Sequence, residues 1–88
     1  MTFYVYLIGS RDKKKTISYV GYTNNLKNRL NLHNTSKGAK FTRGRKWKLI
    51  YYKKYKSKSE AMKYEYKLKK NYILRNKIKN ENFNFTTI

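Results

Sequence analysis

The chain has no cysteine, a single histidine, and only four acidic residues, Asp12, Glu60, Glu65 and Glu81, among 88. Without thiols, neither disulfides nor thiolate–zinc sites can supplement the core, and a reducing compartment is the fitting environment. One histidine excludes a histidine-rich metal centre. Four scattered acids cannot supply the converging carboxylates of a two-metal site. The longest apolar run near the N-terminus, Phe3 to Ile8, is too short for a signal segment or a membrane span. An intracellular protein of the cytoplasm or nucleus, with no membrane partner, is therefore expected. Eighty-eight residues allow one domain with a small core.

What is abundant is positive charge. Lys and Arg total 23, giving a formal net charge of +19. A chain so charged repels itself and finds its natural partner in an anionic polymer, which makes nucleic acid the expected ligand. A coding bias toward Lys, Asn, Tyr and Ile explains part of this composition but not the scarcity of Glu. A basic membrane-surface segment is the weaker alternative, since no long stretch is purely lysine and apolar.

Alternation of Phe3, Val5 and Leu7 with Tyr4, Tyr6 and Ile8 predicts a half-buried strand. The polar run from Ser10 to Lys15 predicts a turn, and a second strand follows over residues 17–22. With the turn centred near Asp12 and Lys13, Tyr6 and Tyr19 become direct cross-strand neighbours. Thr23, Asn24 and Asn25 offer N-caps for a short helix over residues 26–34. Residues 36–46, rich in Gly, Lys and Arg, read as a loop, and residues 47–53 as a third strand. Ser57 and Glu60 form a capping box that opens a helix running to about Tyr72. A short helix from Arg75 would precede a polar end. The expected architecture is an α/β (α+β) sandwich: a small three-stranded antiparallel sheet flanked by helices, order ββαβα plus a short C-terminal helix. The domain is expected over residues 1–80, with a polar tail over 81–88.

On the long helix, a step of about 100° per residue gathers Ala61, Tyr64, Leu68 and Tyr72 into a core-facing stripe. Glu65 falls inside that stripe, whereas Lys63, Lys67 and Lys70 gather opposite, with Glu60 near them. A carboxylate among core-facing groups is costly unless a cation pairs with it. Glu65 is therefore either a functional acid or an edge residue paired with a lysine or Arg29. On the short helix, Arg29 and His33 stand four apart beside Leu26 and Leu30, close enough to converge on a phosphate. Each also has a plain alternative: a solvated cation for Arg29, and a ring satisfied by a local carbonyl for His33. Most of the ten tyrosines must be packing groups, and only Tyr6 and Tyr19 are brought together by the hairpin.

Taken in order, these residues resemble a known signature. Tyr4-Val5-Tyr6, then Tyr19-Val20-Gly21, Arg29 ten residues after Tyr19, His33 four beyond it, and Glu65 are similar to the motifs of the GIY-YIG nuclease superfamily. The run Gly38-Ala39-Lys40-Phe41-Thr42-Arg43-Gly44-Arg45 is similar to its small stand-alone branch, and to the nuclease domain of structure-specific endonucleases of branched DNA. The resemblance spans residues 3–72. It departs at Tyr4, where the signature has glycine, and at Tyr22, where some members carry a lysine whose part would pass to the basic loop.

The resemblance implies a metal-dependent endonuclease that hydrolyses phosphodiester bonds, DNA ahead of RNA, by a one-metal mechanism leaving 5′-phosphate and 3′-hydroxyl ends. The implied catalytic set is Tyr6, Tyr19, Arg29, His33 and Glu65, with Glu65 holding a single Mg²⁺ or Mn²⁺. Arg29 would offset charge on the phosphoryl group. Tyr6 and Tyr19 would orient or deprotonate water, with nearby cations lowering their pKa. His33 would be a proton relay or a phosphate ligand. Lys37, Lys40, Arg43, Arg45 and Lys46 of the loop, with Lys63 and Lys67, are the expected backbone contacts to nucleic acid. The loop lacks the GK[ST] ending of a nucleotide P-loop, which excludes NTP binding. Specificity must come from nucleic-acid shape, a partner protein or self-association. A non-catalytic nucleic-acid-binding module with the same fold is the alternative, and a ribosome-associated RNA-binding protein a third reading.

Overall fold

A computed structural model describes residues 1–12 and 15–83. Strands β1 (Phe3–Asp12), β2 (Lys15–Thr23) and β3 (Lys48–Tyr55) form one antiparallel sheet in the order β2-β1-β3. Helix α1 (Leu26–Asn34) follows the hairpin, and α2 (Lys58–Lys70) and α3 (Tyr72–Phe83) follow β3. The expected α/β architecture and element order are those observed. Among the described residues, no helix is long and apolar enough to cross a membrane.

The central strand departs from the half-buried expectation. From Val5 to Ser10 every residue of β1 is buried, because both faces of the sheet are covered. On one face Val5, Leu7 and Val20 pack with Ala61, Leu68 and Ile78 of α2 and α3. On the other, Tyr6, Ile8 and Trp47 pack with Tyr19, Leu26, Leu30 and Leu49. A bulge in β3 serves both layers. Leu7 pairs with Tyr51 but Ile8 with Leu49, so the intervening Ile50 joins Tyr51 on the α2–α3 face.

The hairpin register is shifted two residues from the expected one. Asp12 pairs with Lys15, which carries both strands further than their hydrophobic patterns suggested. Of the turn expected over Ser10 to Lys15, centred near Asp12 and Lys13, Ser10 to Asp12 and Lys15 are instead strand, and residues 13 and 14 lie outside the described residues. Tyr6 consequently faces Gly21, and Tyr19 faces Ile8. A shift of two preserves the faces, so Tyr6 and Tyr19 remain diagonal neighbours in one layer.

Of the three cap candidates for α1 Asn25 is the one used, and α2 uses the expected Ser57. Asn25 accepts from the Asn28 amide at 3.0 Å, and Ser57 Oγ accepts from the Glu60 amide at 3.2 Å. The C-terminal boundary differs from expectation. Asn71, at φ −90° and ψ 75°, interrupts the chain after Lys70, and its side chain accepts from the Leu74 amide at 3.1 Å to cap α3. Arg75 Nε donates to the Leu68 carbonyl at 3.2 Å, satisfying an end group of α2. Tyr72 thus falls beyond the break and is 64% exposed rather than in the core stripe. Tyr64, at 37% exposure, lies at the stripe's edge and stacks on Tyr55 with ring centroids 4.9 Å apart.

Leu68→Ala should destabilise the protein by roughly 2–5 kcal/mol, whereas Tyr72→Ala should stay within about 0.5 kcal/mol. Urea denaturation of both variants checks this; equal losses would place Tyr72 back in the core.

Candidate active site

Gly21 decides where the first tyrosine can lie. A side chain at Gly21 would run into the Tyr6 hydroxyl and ring, so the glycine on edge strand β2 leaves the space that the phenol fills. Tyr6 is 2% exposed, and its Oη lies 2.8 Å from His33 Nε2. His33 occupies the last turn of α1 and is fully buried. Its Nδ1 lies 2.9 Å from Thr42 Oγ1, and Gly38 leaves room for the ring by having no Cβ. Both ring nitrogens are engaged inward, so neither points to a surface phosphate. Tyr19 sits against the same ring, edge-on, at 5.3 Å between centroids.

The basic loop is built as a clasp over this histidine. A 3-10 turn at Lys40–Thr42 buries Thr42 completely, and Thr42 Oγ1 donates to the Ala39 carbonyl at 2.9 Å. Trp47 Nε1 donates to the Thr42 carbonyl at 2.8 Å. Asn34 grips the backbone of Trp47 through both its amide oxygen and its amide nitrogen. The Gly44 amide donates to Ser36 Oγ at 3.0 Å, closing the loop on itself. Phe41 completes the lid by stacking on Tyr19, 6.0 Å between centroids.

Arg29 of α1 meets this core, and Glu65 of α2 approaches it only in charge. Arg29 Nε donates to Tyr6 Oη at a long 3.4 Å. The Glu65 side chain is 17% exposed, and Lys69 Nζ lies 3.4 Å from its Oε2 one helical turn away. A lysine partner is thus present, as the plainer reading of Glu65 expected, without deciding between that reading and a functional one. Its carboxylate is nonetheless near enough for its charge to act on the Tyr6 hydroxyl.

Burial raises the Tyr6 pKa, and the hydrogen bond and charge of Arg29 offset only part of that rise; Tyr19 and Glu65 add to it. Arg29 by itself does not bring the Tyr6 pKa below its ordinary value, because desolvation of a phenolate this deep outweighs one guanidinium. Burial first, and then Arg29, lower the pKa of His33.

The site thus brings Tyr6, Tyr19, Arg29 and His33 together, whereas Glu65 on α2 makes no hydrogen bond or ion pair with them and reaches Tyr6 only through its charge. The expected nucleic-acid contacts divide into two groups. Lys37, Lys40, Arg43 and Lys46 are exposed on the clasp and Arg45 is half-buried; Arg43, Arg45 and Lys46 line a cleft with Ser10 and Arg11. Lys63 and Lys67 instead lie over the Tyr64 ring on α2, at 5.8 and 5.0 Å from its centroid. Thr42 escaped the sequence reading. It sits in an aperiodic basic loop nine residues from His33, and only the folded clasp shows that the two side chains meet.

The lowered His33 pKa fixes the sign of a pH effect. Above the ordinary value of 6.5 both folded and unfolded states hold a neutral ring, and its contribution to stability is complete. As pH falls below 6.5, the unfolded chain takes up a proton that the folded state resists, so stability drops. Denaturation curves between about pH 8 and pH 5 should show that loss in the wild type and a flatter profile in His33→Gln. Identical profiles would mean the ring charges freely in the folded state.

The GIY-YIG catalytic domain family matches residues 2–82 of the chain. A UPF0213 protein of Oceanobacillus iheyensis is 52% identical over 67 residues, covering 75% of this chain and 74% of that one. A UPF0213 protein of Clostridium perfringens is 44% identical over 68 residues, covering 76% and 70%. Among solved structures, the solution NMR structure of a UPF0213 protein from Bacillus halodurans is 40% identical, covers 78% of this chain and 71% of that one, and superposes with a TM-score of 0.45. With the motif residues gathered around Tyr6 and His33 as described, the chain belongs to the GIY-YIG domain family and is a relative of its small UPF0213 proteins.

Proposed function

We propose that this protein is a metal-dependent endonuclease that hydrolyses phosphodiester bonds in DNA, using Tyr6, Tyr19, Arg29, His33 and Glu65. The observation that carries the reading is the hydrogen-bonded chain from Arg29 through the Tyr6 hydroxyl to a buried histidine, with Tyr19 against the same ring, in a protein of net charge +19. A structural domain has little reason to gather a cation and two phenols around one fully buried imidazole.

The donor set at Glu65 fits a hard divalent cation. The carboxylate retains some exposure, and its partner Lys69 is itself 54% exposed on the same helix, a pair weak enough to yield to an ion. No cluster of three or more His, Cys, Asp or Glu forms among the described residues, so Glu65 would hold one Mg²⁺ or Mn²⁺ whose other ligands are water and substrate oxygens. Such an ion, when bound, supplies Lewis-acid polarisation of the phosphate.

The chain's own groups would divide the remaining work. Arg29 offsets charge developing on the phosphoryl oxygens, with Tyr6 holding its Nε and leaving its terminal nitrogens for the phosphate. Tyr6, kept protonated by burial, acts as an orienting group rather than a base. Tyr19, which is less buried, would orient the attacking water. Lys37, Lys40, Arg43, Arg45 and Lys46 would hold the phosphate backbone at the clasp, with Lys63 and Lys67 extending the contact on α2. These contacts fix position and not sequence, so a partner protein or the shape of the DNA would supply specificity.

The test is cleavage of labelled duplex and branched DNA with Mg²⁺ or Mn²⁺ by the wild type and by Glu65→Ala. Wild type should cut only with the metal, and the variant should lose at least about a hundredfold in rate while binding DNA as well and with the same steep salt dependence. Tight, salt-sensitive binding with no cutting by the wild type would instead establish a binding module that retains the fold.

A further inference from the structure

We infer that Thr42 is a positioning residue: it fixes the tautomer of His33 and, through Tyr6, the direction of the hydrogen bond that holds Arg29. The argument starts at the Ala39 carbonyl, which can only accept. Thr42 Oγ1 lies 2.9 Å from it and therefore gives its single proton there. The same oxygen is 2.9 Å from His33 Nδ1 and has only lone pairs left to offer. Nδ1 must carry the hydrogen, and Nε2 of the neutral ring is left bare.

The other end of the chain requires the same answer. Tyr6 Oη lies 2.8 Å from Nε2 and 3.4 Å from Arg29 Nε, which can only donate. If Nε2 also carried a hydrogen, the Tyr6 oxygen would face two donors and its own proton would have no acceptor among these partners. With Nε2 bare, Tyr6 donates to His33 and accepts from Arg29. Each of the four groups then has a partner of the opposite kind.

The result is one unidirectional chain: Arg29 Nε–H to Tyr6 Oη, Tyr6 O–H to His33 Nε2, His33 Nδ1–H to Thr42 Oγ1, and Thr42 O–H to the Ala39 carbonyl. Reversing the ring tautomer would set Nε2–H and Arg29 Nε–H to compete for the one phenolic oxygen and strand the Tyr6 proton, weakening the hold on the guanidinium. Thr42 is suited to set the direction because it is fully buried and held from behind, its own carbonyl accepting from Trp47 Nε1 at 2.8 Å. The basic clasp thereby has a second role besides contacting an anion: it orders the site from beneath.

The consequence for Arg29 and catalysis rests on the nuclease reading; the tautomer does not. Because the chain has one histidine, the ring nitrogens can be read without ambiguity in ¹⁵N-labelled protein by long-range ¹H–¹⁵N correlation above about pH 7. Wild type and Thr42→Ser should show hydrogen on Nδ1 only. Thr42→Val keeps the shape without the hydroxyl, and should shift the ring to Nε2–H or to a mixture. Tyr6→Phe should leave Nδ1–H in place, since the direction is set from the Thr42 side. An Nε2–H ring in wild type, an unchanged ring in Thr42→Val, or a reversed ring in Tyr6→Phe would each overturn the assignment. If Thr42→Val fails to fold, the wild-type and Tyr6→Phe spectra still decide. In the cleavage assay Thr42→Val should lose at least about tenfold in kcat and Thr42→Ser should recover most of it. A wild type that does not cut would sink the nuclease reading while leaving the ring measurement to judge this one.

Discussion

Everything at this site depends on an imidazole with no exposure at all being satisfied at both nitrogens. A buried polar ring without partners would cost several kcal/mol in a domain whose whole stability is of order 5–15 kcal/mol. The two partners come to His33 of α1 from separate segments, Tyr6 from the central strand and Thr42 from the clasp. Two glycines make the fit possible, Gly21 beneath the Tyr6 phenol and Gly38 beside the His33 ring. The glycine of the Tyr19-Val20-Gly21 motif is thus explained by the volume of a tyrosine on the neighbouring strand, not by backbone conformation.

The second constraint is charge. A +19 chain of this size must keep its cations in water and still build two hydrophobic layers. It does so by making one strand, β1, serve both layers while helices and clasp carry the lysines outward. Several of those lysines cover tyrosine rings, as Lys67 does Tyr64 and Lys70 does Tyr66, so long aliphatic stems shield aromatic surface. The few acids are then free for particular work, and Glu65 is the one that a core-adjacent position marks out.

Much of this was legible in the linear sequence, for identifiable reasons. Alternation placed the strands, Asn25 and Ser57 announced two helices, and Arg29, His33 and Glu65 stood out as polar groups on core-adjacent faces. The hairpin register was less so: a two-residue shift leaves the same side chains on the same face, and hydrophobic pattern is blind to it. The break at Asn71 was hidden because the apolar period of α2 runs through it to Tyr72 without a proline or glycine to mark the stop. Thr42 was unreadable because its partner lies across a loop without periodicity. The direction of the Tyr6 pKa depended on a competition between burial and Arg29, and only the burial measured in three dimensions decides it.

The central claim is that Tyr6 and Thr42 act through one connected chain and not as two separate supports. A double-mutant cycle on metal-dependent DNA cleavage tests it most directly, using Tyr6→Phe, Thr42→Val and the pair. The account predicts that the double variant cuts about as fast as the slower single one, because either change already breaks the link to Arg29. Losses that multiply, in variants that remain folded, would show two independent contributions and contradict it.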